Sequence, residues 1–297
     1  MRVDISWGVL LWVPVLLVEG LGLDHETLSK YSNISSGRRI VNGVPASPED
    51  FQYIVHLHTD GPHASGNVID SRWILTVAHA LVNDVCPNLK IFPSSWQPGD
   101  TTTMTAVKCY IHDKYTPAEN AHDIGLVKSS DNLLNSGQCQ TIPLPEPGTQ
   151  YAPGTRGTIA GWGLKTDGTL SDRLLTGDVM VESWETCNEA FAHSPPECGG
   201  KPECTALNVP RRMVCLRGDG PNPKNICAGD SGGPLTIDGT LVGVASVGFF
   251  SDKCIVGTVT MFTSIVDYLP WIYFFTHPEK NTNGFPVAPE FDKTIPA

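Results

Sequence analysis

Short runs of β-branched and aromatic residues, broken by clusters of proline, glycine, asparagine and serine, govern what this chain can fold into. Tyr53–Leu57, Trp73–Val77, Leu89–Phe92 and Ala106–Ile111 are such runs in the first half. Gly157–Trp162, Gly177–Val181, Leu235–Ile237, Leu241–Val247 and Thr258–Phe262 continue the pattern. Strand-length runs between turn residues predict an all-β chain. Residues 143–157 are rich in proline and glycine and read as the connection between the two sets. Near the C-terminus Ile265, Leu269 and Ile272 recur at helical spacing, with Asp267 placed to cap and Pro270 tolerable in a first turn. After Phe275 no period remains, and the segment reads as a loose tail.

The chemistry centres on Asn225-Ile226-Cys227-Ala228-Gly229-Asp230-Ser231-Gly232-Gly233-Pro234. A serine in a glycine-rich turn presents an accessible hydroxyl, because glycine permits positive φ and close approach. The amides of Gly229 and Ser231 are then available to a developing oxyanion. A hydroxyl is a weak nucleophile until a base takes its proton. Thr76-Val77-Ala78-His79-Ala80 supplies a histidine, and Asp123, which opens Asp123-Ile124-Gly125-Leu126-Val127-Lys128, can orient it. In this order and with these flanks, and with Ile40-Val41-Asn42-Gly43 upstream, the chain resembles the trypsin/chymotrypsin family of serine peptidases over roughly residues 40–272. The triad mechanism is taken from that family and not deduced from these residues.

The resemblance implies two six-stranded antiparallel β-barrels with a short C-terminal helix. Barrel one would span about 40–142, barrel two about 158–262, the helix about 264–275 and a flexible tail 276–297. It implies catalytic His79 and Asp123 from the first barrel and Ser231 from the second, with Gly229 and Ser231 as the oxyanion hole. It also implies activation by cleavage between Arg39 and Ile40. The new ammonium would fold inward and pair with Asp230, an arrangement that holds because losing either partner strands a buried charge. Asn225 stands at the base of the primary pocket, where arginine- and lysine-directed members carry aspartate. A neutral amide compensates a buried cation poorly. Ile226 adds apolar wall, Thr260 narrows the pocket, and Ser246, Val247 and Gly248 form the strand that pairs with substrate. The expected preference is for a neutral, small-to-medium apolar side chain, with Asn225 also able to hydrogen-bond a polar one. The implied partners are protein or peptide substrates, an activating protease and protein inhibitors, and no cofactor is called for.

Two departures from the family pattern stand out. Ala64 and Ala80 occupy the positions of the usual disulfide beside the catalytic histidine, and Val247 replaces the usual tryptophan. Both favour an alternative of another class, a catalytically silent homologue that binds or regulates. The complete triad and activation junction favour the enzyme.

Residues 5–18 form an apolar run behind Arg2, followed by Gly20 and Gly22, which reads as a signal peptide over 1–22. The run is short of the ~20 residues needed to span a bilayer. Residues 23–39 read as a propeptide with a glycosylation sequon at Asn33, so the product is expected to be secreted and extracellular. The net charge of −11 gives no basic footprint for nucleic acid or an anionic membrane. Nine cysteines in a secreted chain read as disulfides with one left over. Family position pairs Cys187 with Cys215 and Cys227 with Cys254. Cys198 and Cys204 share an insertion and pair with each other, and Cys86 and Cys109 flank two runs read as antiparallel neighbours. Cys139 remains, free or bonded to another chain. His56, His58 and His63 have no carboxylate or cysteine cluster beside them, and they read as a solvated strand face with no metal. The stretch matching the family's calcium loop, Ile91–Lys108, holds only Asp100 as a carboxylate, too little for a hard cation.

Overall fold

Residues 54–58 set the logic of the first sheet. Val55 and Leu57 join an interior apolar cluster with Ile74, Ile91 and Val127, while Ile54 on the other face packs with Ala160 and Trp162 of the second half. Successive strand side chains point to opposite faces, so one short strand serves both a barrel interior and the seam between barrels.

The computed structural model describes residues 40, 42–58, 63–82, 85–97, 103–117, 120–164, 171–193, 209–248 and 257–277, with the backbone of 294–296. The expected signal peptide, the propeptide with Asn33, Arg38 and Arg39, and Asp100, Cys198, Cys204 and Cys254 lie outside these residues. The strands in chain order are β1 (Val44–Pro45), β2 (Ile54–His58), β3 (His63–Asp70), β4 (Trp73–Thr76), β5 (Lys90–Phe92), β6 (Met104–Ile111) and β7 (Gly125–Ser129). They continue with β8 (Arg156–Gly161), β9 (Leu175–Glu182), β10 (Met213–Gly218), β11 (Pro234–Ile237), β12 (Thr240–Gly248), β13 (Val259–Ser264) and β14 (Thr294–Pro296). The order β6-β5-β2-β3-β4-β7 is closed by β6–β7 pairing, and β9-β10-β13-β12-β11-β8 by β8–β9 pairing. Two closed six-stranded antiparallel barrels result, as the all-β pattern and the resemblance implied.

Three local expectations need correction. β1 pairs with β9, Val44 opposite Thr176, so the start of the segment given to barrel one is an edge strand of barrel two. β14 pairs with β6, so the last residues of the segment read as a loose tail are held as a strand. His56 is only 2% exposed, stacked on Trp96 with ring centroids 4.3 Å apart, so the histidine face is covered at His56, with His58 and His63 half-buried.

Helix α1 (Trp184–Ala192) had no counterpart in the sequence reading. Its signature is a cap, Ser183 Oγ accepting from the Thr186 amide at 3.1 Å, with Cys187 and Phe191 buried one turn apart. Helix α2 (Leu269–Thr276) follows a short 3₁₀ turn, Val266–Tyr268, with Pro270 in its first turn. Asp267 does not cap it, because the N-cap position is Tyr268, whose side chain makes no capping bond. Leu269, Trp271 and Ile272 join Trp73, Leu75, Ile124 and Leu126 of barrel one. Each such side chain removed from water is worth about 1.5–3 kcal/mol. Thus the last helix, continuous in chain with barrel two, packs on barrel one, while β1 adds an exposed edge strand to barrel two.

Cys86–Cys109 and Cys187–Cys215 are disulfides, with Cα atoms 5.9 and 5.8 Å apart. Cys227 is also disulfide-bonded. Cys139 is free and buried, and burial pushes its thiol up to about 11. A thiol held protonated and covered is a poor nucleophile. The native protein is therefore expected to resist thiol reagents at Cys139 and to react there on denaturation. Labelling of Cys139 at the same rate in native and denatured protein, read by peptide mapping, would contradict this packing.

Candidate active site

His79 lies in a 3₁₀ turn, Ala78–Ala80, directly after β4, and Asp123 lies two residues before β7. β4 and β7 are paired, Thr76 opposite Gly125, so the sheet brings these two residues side by side. Asp123 is fully buried. Its Oδ1 accepts from the His79 amide at 2.9 Å, and its Oδ2 lies 2.7 Å from His79 Nδ1. Ser246 Oγ donates to the same Oδ2 at 2.6 Å, and Thr263 Oγ1 donates to the Asp123 carbonyl at 2.7 Å. An ionised carboxylate can only accept, so His79 carries its proton on Nδ1. The Nε2 lone pair then faces Ser231 Oγ, 2.8 Å away. A serine hydroxyl, a basic ring nitrogen and an orienting carboxylate are thus in series.

His112 and His122 lie on the segments that flank Asp123, the His112 amide donating to the Ile124 carbonyl at 3.2 Å. Their rings stack with centroids 4.7 Å apart, and Tyr268 Oη lies 3.2 Å from His122 Nδ1. Burial, with the charge of His122 next, pushes His112 down to about 4, so it is neutral.

The turn carrying Ser231 is fixed from across the seam by β3. The Ser65 amide donates to the Ser231 carbonyl at 2.7 Å, and Asn67 Nδ2 donates to the Gly232 carbonyl at 2.8 Å. Gly232 has φ 76°, and a Cβ there would stand 2.1 Å from the Ser65 carbonyl oxygen, so only glycine fits. Gly229, at φ 92°, turns the chain before Ser231. Among the described residues, the Gly229 and Ser231 amides have no acceptor. Ser65, Asn67 and Thr263 were missed by sequence reasoning. For Asn67 and Thr263 the signal was a polar side chain inside a strand, which needs a partner when buried, whereas Ser65 acts through its backbone amide and carried no side-chain signal.

Asp230 is fully buried, its Oδ1 accepting from Gly163 and its Oδ2 from Cys227, each at 2.8 Å. Ile40 is buried with the barrel-two interior cluster. Asn225 is 2% exposed; its Nδ2 donates to Thr258 Oγ1 at 3.1 Å and its Oδ1 accepts from the Ile226 amide at 2.9 Å. Thr260 is buried on β13 opposite Gly248 of β12. Ile226 belongs to the interior cluster of barrel two, so its bulk fills the core and not a pocket wall.

Two antiparallel barrels with a Ser-His-Asp series in their seam define a serine-hydrolase type of site. The trypsin family model matches residues 40–272, and the chain belongs to the trypsin family. Human kallikrein-7 is 30% identical over 82% of this chain and 87% of its own length. Hypodermin-A of Hypoderma lineatum is 31% identical over 72% of this chain and 78% of its own. Rat transmembrane protease serine 11G is 28% identical over 85% of this chain but 57% of its own, so this chain spans little more than half of that relative. Among the described residues no helix is long and apolar enough to cross a membrane.

Asp230 gives a measurable consequence. Burial pushes its carboxyl up from 3.8 to about 6, against the pull of the Cys227 and Gly163 amides. The folded value lies above the unfolded one, so its contribution is most favourable below about pH 4 and is lost as pH rises through about 6. In the full-length chain, Asp230→Asn should gain stability relative to the parent from about pH 4 to 7, by roughly 3 kcal/mol in total. Urea denaturation across that range reads the gain, and a constant difference would show that Asp230 is ionised throughout.

Proposed function

We propose that this chain is a serine endopeptidase that forms an acyl-enzyme through Ser231. The observation that carries this reading is the continuous run Asp123–His79–Ser231, with contacts of 2.7 and 2.8 Å. Ser231 Oγ attacks the scissile carbonyl carbon while His79 Nε2 takes its proton. Asp123 holds the tautomer and stabilises the imidazolium, and His79 then returns the proton to the leaving amine. The unengaged Gly229 and Ser231 amides receive the oxyanion, where losing one donor typically costs ~3–4 kcal/mol.

The chain is made as a secreted, extracellular zymogen cut between Arg39 and Ile40. The Arg38-Arg39 pair before Ile40, the apolar leader and a buried Asp230 awaiting a cation support this reading. The freed Ile40 ammonium pairs with Asp230 and lowers the carboxyl that burial had raised. The protein's partners are peptide or protein substrates, the activating protease and inhibitors. Val247, and alanine at 64 and 80, support the second reading, a silent homologue that binds or regulates.

An active-site-directed phosphonate separates the two readings. Protein cut after Arg39 should become labelled at Ser231, with uncut protein and Ser231→Ala unlabelled. A cut, folded protein that takes no label is the silent homologue; turnover by a chain that still carries Arg39 removes the zymogen reading.

Specificity follows from Asn225, whose amide is engaged at both ends and carries no charge to answer a guanidinium. Thr260 narrows the same pocket, so the residue before the cut is neutral and apolar. A peptide series varying only that residue should favour Leu, Ala or Phe. Tenfold better kcat/KM for Arg or Lys, about 1.4 kcal/mol, would reverse the assignment.

A further inference from the structure

β2 and β3 form a hairpin whose register sets His58 directly opposite His63, and His56 opposite Ser65. His56 and His58 are two residues apart on one strand and share its face, the face whose Ile54 packs with Ala160 and Trp162. The three imidazoles converge there. The His56 and His63 rings stack with centroids 5.2 Å apart, and those of His58 and His63 lie 4.5 Å apart. One ligand nitrogen from each lies within 4.8 Å of the other two.

This cluster is unusual in two respects. The Nδ1 atoms of His58 and His63 are 2.9 Å apart, so the metal-free pair holds together only if one ring donates to the other. His56 is almost fully covered, yet its Nδ1 is buried without a hydrogen-bond partner. An orphaned polar atom in a covered site costs free energy unless a ligand satisfies it.

We propose that His56, His58 and His63 bind a zinc ion, one nitrogen from each, with water in the fourth position. Tetrahedral zinc with Zn–N of ~2.0–2.1 Å places ligand nitrogens about 3.3 Å apart. The observed 2.9 Å pair is already near that spacing, and the wider separations close by rotation of His58 and His63, which are only partly buried. Three imidazoles without a carboxylate suit a borderline divalent ion and not a hard one such as calcium or magnesium. The ion would clamp β2 to β3 two residues from Ser65, whose amide holds the Ser231 carbonyl. It would therefore stiffen the strand that docks the nucleophile turn, next to Ala64, where the family's disulfide is missing.

Calorimetric titration of the chelator-treated, full-length chain with Zn²⁺ tests this directly. The parent should bind one equivalent and melt at a higher temperature with zinc than without. His58→Ala and His63→Ala, with metal-free melting temperatures near the parent's, should bind at least about a hundredfold more weakly, no less than loss of an outer-shell partner costs. Imidazole ¹⁵N shifts of the parent locate the ion whether or not a variant folds. Zinc-dependent shifts at His56, His58 and His63 support the site. Shifts confined to His79, His112, His122 or other histidines, unchanged affinity in a folded variant, or no zinc binding by the parent would each overturn it.

Discussion

A carboxylate with no exposure to water holds this molecule's working parts together. Asp123 could not remain charged in that position without donors, and it has three: the His79 amide, His79 Nδ1–H and Ser246 Oγ. Two of these come from barrel one and the third from β12 of barrel two. A fourth bond, from Thr263 of β13 to its carbonyl, again crosses the seam. Breaking a buried charge away from its partners costs several kcal/mol. The groups that orient the histidine thus also fix how the barrels meet, and the site is a by-product of satisfying one buried charge.

The turn carrying Ser231 depends on the same economy from the opposite direction. It contributes bare carbonyls at Ser231 and Gly232, and β3 answers each with a donor. The glycine at 232 is required because those carbonyls must come so close that no side chain fits between. Asp230, one residue earlier, is held by amides alone among the described residues, which is why burial can raise its carboxyl so far. The turn is well anchored at its carbonyls and electrostatically incomplete at its carboxylate.

Much of this was legible in the residues. The strand runs, and Leu269 and Ile272 of α2, follow from periodicity, because each element buries one face, and the connection between the barrels follows from its proline and glycine content. His79, Asp123 and Ser231 were visible through their flanking motifs, and the structure brings them into contact. β3 was not legible, because its centre, Ser65-Gly66-Asn67, carries no apolar alternation; the Ser65 amide and the Asn67 side chain serve the other barrel. α1 escaped because its short apolar face precedes the cysteine-bearing insertion. The histidine face was misread because solvation depends on what covers a strand, and its cover, Trp96 and Trp162, comes from distant sequence. Ile226 likewise looked like pocket lining, but the core of barrel two takes it.

The exchange of terminal elements between barrels governs how the molecule comes apart. β1, leading into barrel one, lies on barrel two, and α2, leaving barrel two, lies on barrel one. Each half is laced by a strap that belongs to the other. A single break in the connection over 143–155 would free neither half, since both straps would still hold. Opening one barrel also strips cover from its neighbour, so the two cannot melt as separate bodies. A pair of barrels that could have been two modules on a hinge is bound into one cooperative unit, and the seam where the chemistry sits keeps its dimensions until the whole gives way.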